Sequence, residues 1–187
     1  MLLFLQLWGG IFFLLNKIFF AFAERSVRPA TTRWRLWSWI VYLIGLPAWV
    51  MIFALEHNWI AAALEASGAP AMILGLWTAL GRSDKPPKWL NLLSIAGIMI
   101  GMLGSLYDFG GVTAFSQYLE LGIATGYFVG TYLLAKQESD GYAWYVLMHV
   151  SCGWLMWAQG YTWLCAQQGI SLVFIVDAFL VSSRRQR

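Results

Sequence analysis

The sequence contains unusually little charge. Aspartate, glutamate, lysine and arginine together make up 11% of its 187 residues, whereas about 25% is usual for a soluble domain. A chain with so few charged side chains cannot cover a globular surface with polar groups, which excludes a soluble domain. Because 60% of the residues are hydrophobic and the mean hydropathy is +0.64, the composition predicts an all-α integral membrane protein.

Cysteine and histidine are also scarce, with two of each. Cys152 and Cys165 both lie in apolar stretches, which provides neither a disulfide framework nor the spacing of metal ligands. The sequence also contains no nucleophile–base arrangement, phosphate-binding loop or nucleic-acid patch. We therefore expect a protein that is not an enzyme and that uses no cofactor, metal ion or nucleic acid.

Seven apolar stretches follow one another along the chain, each long enough to cross the hydrocarbon core as a helix of about 18–23 residues. Short connectors that carry charges, glycine and proline separate them. The stretches are residues 2–22, 36–55, 59–80, 89–107, 113–135, 142–159 and 162–181. The sequence therefore predicts seven transmembrane helices in contact with the lipid bilayer, and it leaves no room for a soluble domain beside them.

The basic residues are concentrated at alternate connectors. Four of the twelve lie in the first connector, three in the third, one at the fifth and three in the C-terminal tail, whereas the second, fourth and sixth connectors have none. Since basic residues favour the cytoplasmic side of a membrane, we expect the N-terminus outside and the C-terminus in the cytoplasm. That orientation requires an odd number of spans, and it fits a multi-pass protein of the bacterial inner membrane.

The two halves of the sequence resemble each other. An offset of 105 residues pairs Trp39 with Trp144 and Trp49 with Trp154, and a shift of one residue at the following turn aligns the third span with the seventh. An offset of 112 residues aligns the first span with the fifth. The pattern predicts two parallel three-helix repeats, in residues 1–81 and 113–187, that are joined by a linker helix in residues 82–112.

Six polar or tryptophan side chains share one estimated depth in the membrane. At 1.5 Å per helical residue, each lies roughly 8–11 Å below the outer end of its span. They are Trp49, Glu65, Glu120, Trp154, Gln167 and Gln168. Polar side chains within a span usually face a bundle interior or a cavity, so we expect these residues to bind a small-molecule substrate. Tryptophan is also common in interfacial belts, and glutamine can bond across helices, so a packing role is the alternative.

Two more residues extend this candidate site. Tyr127 lies on the same face of the fifth span as Glu120, and Ser171 of the seventh span aligns with Ser67 of the third. Tyr127 and Ser171 therefore join the six residues as candidate substrate-binding residues.

Other polar residues within the spans have simpler interpretations. His149 could relay protons, but a bond to a neighbouring helix explains it as well. Lys17 and Asp177 lie close to the cytoplasmic ends of their spans. We expect their side chains to extend toward the membrane surface.

The order of three helices, one linker helix and three helices, with the N-terminus outside, resembles the SWEET sugar transporters and the related PnuC-type vitamin transporters. Residues 144–154 and 159–168, which read WYVLMHVSCGW and QGYTWLCAQQ, are most similar to the PnuC type. In SWEET-like proteins a tryptophan on the second helix of each unit and a polar residue on the third contact substrate. Trp49 with Glu65 and Trp154 with Gln168 resemble those pairs.

This resemblance implies a facilitator for a small, polar, ring-containing solute. A vitamin precursor such as nicotinamide riboside is a cation, and it would suit the acidic, tryptophan-rich layer. A SWEET-type sugar transporter is the second expectation. The third is a non-transporting assembly or partner subunit, whose polar groups would pair with each other and leave no cavity. The sequence leaves the oligomeric state open, and a homo-oligomer is one of the outcomes.

Overall fold

A computed structural model describes residues 2–80 and 88–186. Over these residues the chain forms seven α-helices and no strand, which confirms the all-α prediction. The helices are α1 (Leu2–Arg25), α2 (Ala30–Leu55), α3 (Trp59–Ala79), α4 (Lys88–Phe109), α5 (Phe115–Ala135), α6 (Gly141–Ala158) and α7 (Thr162–Gln186). The third connector, with its predicted basic residues Arg82 and Lys85, lies outside the described residues.

Four helices in the described part of the chain are long and apolar enough to cross a membrane. They are α1, α2, α3 and residues Thr162–Arg184 of α7. Large apolar side chains also remain on the outer surface, including Leu3, Leu103 and Val173, each at least 60% exposed. Such a surface suits lipid rather than water. The fold therefore fits a membrane protein.

Six of the helices form a closed ring. Around it, α1 packs against α2, α2 against α3, α3 against α5, α5 against α6, α6 against α7, and α7 returns to α1. The fourth helix packs against α3. The connections alternate between two ends of the ring. We call the end with the α1–α2 and α5–α6 connections the basic end, because Arg25, Arg28, Arg33, Arg35 and Lys136 lie there. The α2–α3 and α6–α7 turns are at the opposite end.

The two turns at the opposite end have the same geometry. In the first, His57 has a positive φ of 57°, and the backbone N–H of Asn58 donates to the carbonyl of Phe53 at 2.9 Å. In the second, Gly160 has a φ of 80°, and the N–H of Tyr161 donates to the carbonyl of Met156 at 2.8 Å. This bond closes a helix C-terminus when the preceding residue is left-handed. The left-handed conformation suits Gly160, whereas His57 adopts it at a steric cost.

The buried positions recur with the same spacing of 103 residues that separates the two turns. In α2 the buried residues include Ser38, Trp39, Tyr42, Gly45, Ala48, Trp49, Ile52 and Phe53. The residues 103 positions later are buried in α6 in the same order: Gly141, Tyr142, Tyr145, Met148, Ser151, Cys152, Leu155 and Met156. In α3 the buried residues include Ala61, Leu64, Glu65, Gly68, Met72, Gly75 and Ala79. The residues 103 positions later are buried in α7 in the same order: Leu164, Gln167, Gln168, Ser171, Ile175, Ala178 and Ser182. One continuous register therefore relates α2–α3 to α6–α7.

The tryptophan pairs predicted from the sequence do not follow this register. Trp39 and Trp49 are 2% and 1% exposed, whereas Trp144 is 37% exposed and Trp154 is 59% exposed. At the spacing of 103 residues, which is two less than the offset predicted for these two helices, Cys152 rather than Trp154 is paired with Trp49. Tryptophan is found both in protein cores and at lipid-facing surfaces. Two aligned tryptophans therefore need not have the same environment.

Candidate functional site

The centre of the ring contains a buried lysine. Lys17 in α1 is fully buried, and its Nζ donates to Asn16 Oδ1 at 2.8 Å. The same nitrogen lies 4.5 Å from the ring centroid of Tyr42 and 4.2 Å from that of Tyr145. The prediction that Lys17 extends toward the membrane surface is wrong, because the amine is enclosed by aromatic rings inside the bundle. Desolvated contacts of this kind are worth about 2 kcal/mol.

The aromatic rings around Lys17 come from several helices. Phe13 meets the Tyr42 ring edge-on with centroids 4.6 Å apart, and Tyr127 of α5 meets the same ring edge-on at 6.0 Å. Tyr42 and Tyr145 are 103 residues apart and thus occupy corresponding positions on α2 and α6. One amine is therefore held by two tyrosines that belong to the two halves of the chain.

Glu65 of α3 lies beside this group. It is 3% exposed, and it is within electrostatic reach of Lys17 and next to Tyr127, although no ion pair joins it to Lys17 within the described residues. In the part of the chain that the structure describes, its Oε2 atom and the hydroxyls of Tyr42 and Tyr127 are buried close to one another and form no hydrogen bond of normal length and angle. We call Lys17, Tyr42, Glu65, Tyr127 and Tyr145 the central cluster. Unpartnered polar atoms at such a site mark places where a ligand or water can bind.

A glycine on α3 makes room for Tyr127. A Cβ atom at Gly68 would collide with the ring and hydroxyl of Tyr127. Gly68 is one helical turn beyond Glu65, so its missing side chain lets the phenol reach the carboxyl group. The close approach of Tyr127 to Glu65 thus depends on a small residue at a helix–helix contact.

The predicted glutamines form a chain of hydrogen bonds beside the central cluster. Gln167 Nε2 donates to Ser171 Oγ at 2.7 Å, and Gln168 Nε2 donates to Gln167 Oε1 at 3.2 Å. Gln168 Oε1 in turn bonds to His149 Nδ1. Because the amide oxygen can only accept, Nδ1 carries the proton in this arrangement. His149 Nε2 is then an acceptor, and it is buried without a partner among the described residues.

Glu120 contacts the N-terminus of α3. Its Oε2 accepts hydrogen bonds from the backbone N–H groups of Ile60 and Ala61 at 2.9 and 3.2 Å. These groups belong to the first turn of α3, where N–H groups have no partner within the helix. A carboxylate there also interacts favourably with the helix dipole. Glu120 therefore caps α3 from α5 and is separate from the central cluster.

The two predicted tryptophans lie in different environments. Trp49 is buried and stacks on Phe13 with ring centroids 5.4 Å apart. Trp154 faces outward, near Phe115 at 6.4 Å. The structure thus brings Glu65 and Tyr127 together, gathers Gln167, Gln168 and Ser171, packs Trp49 against Phe13, and leaves Trp154 outside. The estimated depths placed these residues along the membrane normal, but depth carries no information on which face of a helix a residue occupies.

Polar contacts join the two halves at both ends of the ring. At the basic end, Glu24 Oε1 accepts from Arg35 Nη2 and from the Tyr142 hydroxyl, both at 2.8 Å, and Arg25 pairs with Asp177. These contacts link α1 and α2 to α6 and α7. We call them the basic-end contacts.

At the opposite end, the Tyr161 hydroxyl donates to Glu56. Glu56 is in the α2–α3 turn, and Tyr161 is in the α6–α7 turn. Burial, together with the hydrogen bond to Glu56, raises the pKa of Tyr161 to about 12. The phenol therefore remains a donor at physiological pH, and the bond joins the two corresponding turns directly.

Cavities lie at the basic end. One, of about 600 Å³, is lined by Arg28, Thr31, Thr32, Arg33, Arg35, Thr78 and Gln137 among others. A narrower one lies beside Phe20, Glu24, Arg35 and Tyr142. Phe20 is one helical turn from Lys17 and meets the rings of Trp39 and Tyr142 edge-on at 5.2 and 6.2 Å. This aromatic layer separates the cavities from the central cluster.

Sequence reasoning missed the residues at the middle of the cluster. Lys17, Tyr42 and Tyr145 were not among the candidates, although a lysine within an apolar span is itself a sign of a functional site. No family model, no curated protein and no solved structure matches this sequence.

Proposed function

We propose that the protein is a transporter that moves a small, polar, ring-containing solute across a membrane through the central cluster. The observation that carries the proposal is the enclosure of Lys17 by Tyr42 and Tyr145, two residues at corresponding positions of the two halves. Intramembrane ionisable residues usually mark a substrate or ion pathway. Substrate sites of repeat transporters lie near the midplane, at the interface between repeats.

The contacts around the ring support two three-helix units joined by α4. Each contact has a counterpart: α1–α2 and α5–α6, α2–α3 and α6–α7, α3–α5 and α7–α1. The common register of α2–α3 and α6–α7 supports the same arrangement. On this proposal all seven helices span the membrane, the repeats are residues 1–81 and 113–187, and the central cluster lies between them.

Alternating access would use the polar contacts at the two ends. The Glu56–Tyr161 bond holds the units together at the opposite end, and the basic-end contacts hold them together at the other. If one unit rocks against the other, one set opens while the other stays closed. By the positive-inside rule the basic end faces the cytoplasm, and the membrane is a bacterial inner membrane.

The rival proposal is a non-transporting membrane subunit. The hydrogen-bonded chain from Ser171 to His149 favours it, because these groups pair with one another. Buried atoms without partners favour transport instead: Tyr42 Oη, Trp49 Nε1, Glu65 Oε2, Tyr127 Oη and His149 Nε2. Leaving a buried polar group unsatisfied costs about 1–3 kcal/mol. Three of these atoms belong to the central cluster, and a purely structural cluster would have little reason to keep them.

An uptake assay tests the proposal. Purified full-length protein is reconstituted into liposomes and offered a labelled cationic, neutral or anionic pyridine, or a sugar. We expect uptake of at least one pyridine above that of empty liposomes. Tyr42→Phe should slow this uptake, whereas Tyr118→Phe, at a tyrosine 59% exposed on the outer surface, should not. Uptake of the sugar alone would favour the SWEET-type alternative. If none of the solutes enters, the non-transporting alternative is favoured.

A further inference from the structure

The charge balance of the central cluster differs from the one that the sequence suggested. The sequence placed two carboxyl groups, Glu65 and Glu120, in the binding layer, and this favoured a cation. In the structure Glu120 lies away from the cluster, with Oε2 bonded to the first turn of α3, and Lys17 lies in the cluster instead. We infer that the transported solute carries a carboxylate group and that Lys17 is the residue that recognises it. This inference rests on the proposed function.

Lys17 lacks the partner that a buried amine needs. An ammonium group has three N–H donors, and Asn16 Oδ1 accepts one of them. Nζ also lies over the faces of Tyr42 and Tyr145, with Phe13 further away at 5.9 Å, and Glu65 is within electrostatic reach but forms no ion pair with it among the described residues. A buried charge without an oppositely charged partner is strongly unfavourable. A substrate carboxylate would supply that partner.

The groups nearest to Lys17 favour an acceptor as ligand. Within the described residues the hydroxyls of Tyr42 and Tyr127 form no hydrogen bond of normal length and angle, although they lie close to each other, to Tyr145 and to Glu65, and each can donate a hydrogen bond to a ligand. A carboxylate has only acceptor atoms, so it could accept from both hydroxyls and from the amine. The rings of Phe13 and Tyr145 would then be available to contact the ring of the solute. Glu65 disfavours the binding of a carboxylate, because its negative charge would repel the ligand.

The approach to the cluster also favours an anion. Among the residues that the structure describes, the larger of the two cavities is lined by Arg28, Arg33 and Arg35 and by no acidic side chain. Arg35 is paired with Glu24 through Nη2, but its Nε is buried without a partner. Concave sites lined by one sign of charge concentrate ligands of the opposite sign. A carboxylate would therefore be attracted to this cavity at the basic end, whereas the narrower cavity beside Phe20 contains Glu24 and Glu138 as well as Arg35.

Three pyridines that differ mainly in charge test this inference. Nicotinate is an anion, nicotinamide is its neutral amide, and nicotinamide riboside is a cation. Binding to the purified full-length protein is measured by calorimetry, and uptake is measured in liposomes. We expect nicotinate to bind at least about tenfold more tightly than the other two.

Two substitutions separate recognition from folding. Lys17→Met keeps the length of the side chain and should reduce nicotinate affinity about tenfold, to the level of nicotinamide. Lys136→Met is the matched control, because Lys136 also lies over a tyrosine ring, at 4.3 Å from Tyr132, but is exposed at the end of α5. Glu65→Gln should increase nicotinate affinity by a few-fold, since it removes a repelling charge. Damage to the fold could not produce such an increase.

The outcomes distinguish this inference from the proposed function. If the neutral or cationic pyridine is bound and taken up as well as nicotinate, or if Lys17→Met leaves the preference for nicotinate intact, the inference is overturned and transport still stands. Absence of nicotinate binding also overturns the inference. If no solute enters the liposomes, the proposed function fails as well.

Discussion

Tyr42 and Tyr145 lie on two different helices, 103 residues apart in the chain, and their rings both contact the Nζ atom of Lys17. The two residues do not have the same surroundings. The Tyr145 hydroxyl is hydrogen-bonded to Thr131 Oγ1 at 2.9 Å, whereas the Tyr42 hydroxyl is unpartnered. A carboxyl group, Glu65, lies on the α3 side of the cluster and an amide, Gln168, at the corresponding position on the α7 side. The site is thus symmetric in its rings and asymmetric in its polar groups.

This difference predicts that a change from tyrosine to phenylalanine affects stability differently at the two positions. Tyr145→Phe removes a buried hydrogen bond and strands the Thr131 hydroxyl, so it should lower the free energy of unfolding by about 1 kcal/mol. Tyr42→Phe removes a hydroxyl without a partner and should leave stability unchanged or slightly higher. Both retain the aromatic face over Lys17. Thermal unfolding of the two variants in the same detergent measures the contrast, and equal losses would contradict the hydrogen-bond assignment.

Gly68 should be intolerant of any side chain. Gly68→Ala places a methyl group against the Tyr127 ring, and we expect a loss of about 1–3 kcal/mol from overpacking. Gly169→Ala on α7 is the control, because no atom lies within 4 Å of a Cβ there. Adding Tyr127→Leu to Gly68→Ala should recover part of the stability. Full stability of Gly68→Ala would show that the helices are not in close contact at this position.

Glu120 should matter for stability and not for binding. Glu120→Ala removes the acceptor for the Ile60 and Ala61 N–H groups and should cost about 1 kcal/mol or more. Nicotinate affinity of the folded fraction should not change. Thermal unfolding and calorimetry on the same preparation separate the two effects. A tenfold change in affinity without loss of stability would return Glu120 to the binding site.

The two tryptophans first considered as a pair should behave differently. Trp49→Ala creates a cavity beside Phe13 and should destabilise the protein by about 3–5 kcal/mol. Trp154→Ala removes a side chain that is 59% exposed, so both stability and solute affinity should remain close to those of the unmodified chain. Loss of affinity in Trp154→Ala at normal stability would contradict the outward orientation of this residue.

The Glu56–Tyr161 bond should control access from the opposite end. Cys152 is buried, and in a Cys165→Ser background it is the only cysteine of the chain. Tyr161→Phe removes the bond between the two turns and should increase the rate at which a maleimide labels Cys152. Tyr118→Phe provides the control. An unchanged labelling rate would mean that this bond does not hold the opposite end closed.

The positions of the helices could be predicted from the sequence because hydrocarbon thickness sets the length of an apolar stretch. Even so, α2 begins at Ala30, before the predicted start at residue 36. Arg33 and Arg35 continue the helix beyond its apolar part, and the apolar pattern could not show this. A helix can extend past the hydrocarbon as long as its side chains reach polar surroundings.

The candidate site could be predicted only in part. Glu65, Tyr127, Gln167, Gln168 and Ser171 are all buried, since polar groups within a span are expected to avoid lipid. Which of them meet depends on how the helices are rotated, and depth along the membrane does not contain that information. Lys17 was assigned to the surface because a long side chain near a span end usually reaches water. In the structure the Lys17 amine instead contacts the ring faces of Tyr42 and Tyr145.

The correspondence of Glu65 with Gln168 has a consequence for how such a ring can be assembled. A homodimer of one three-helix unit would close the same six-helix ring, but its exact twofold symmetry would duplicate every residue near the axis. Two lysines, or two glutamates, would then face each other across a few ångströms and repel. A single chain with two unlike halves escapes this restriction. It can place a single amine, Lys17, and a single carboxyl group, Glu65, at the centre of the ring. A symmetric dimer would have to place two copies of each residue there.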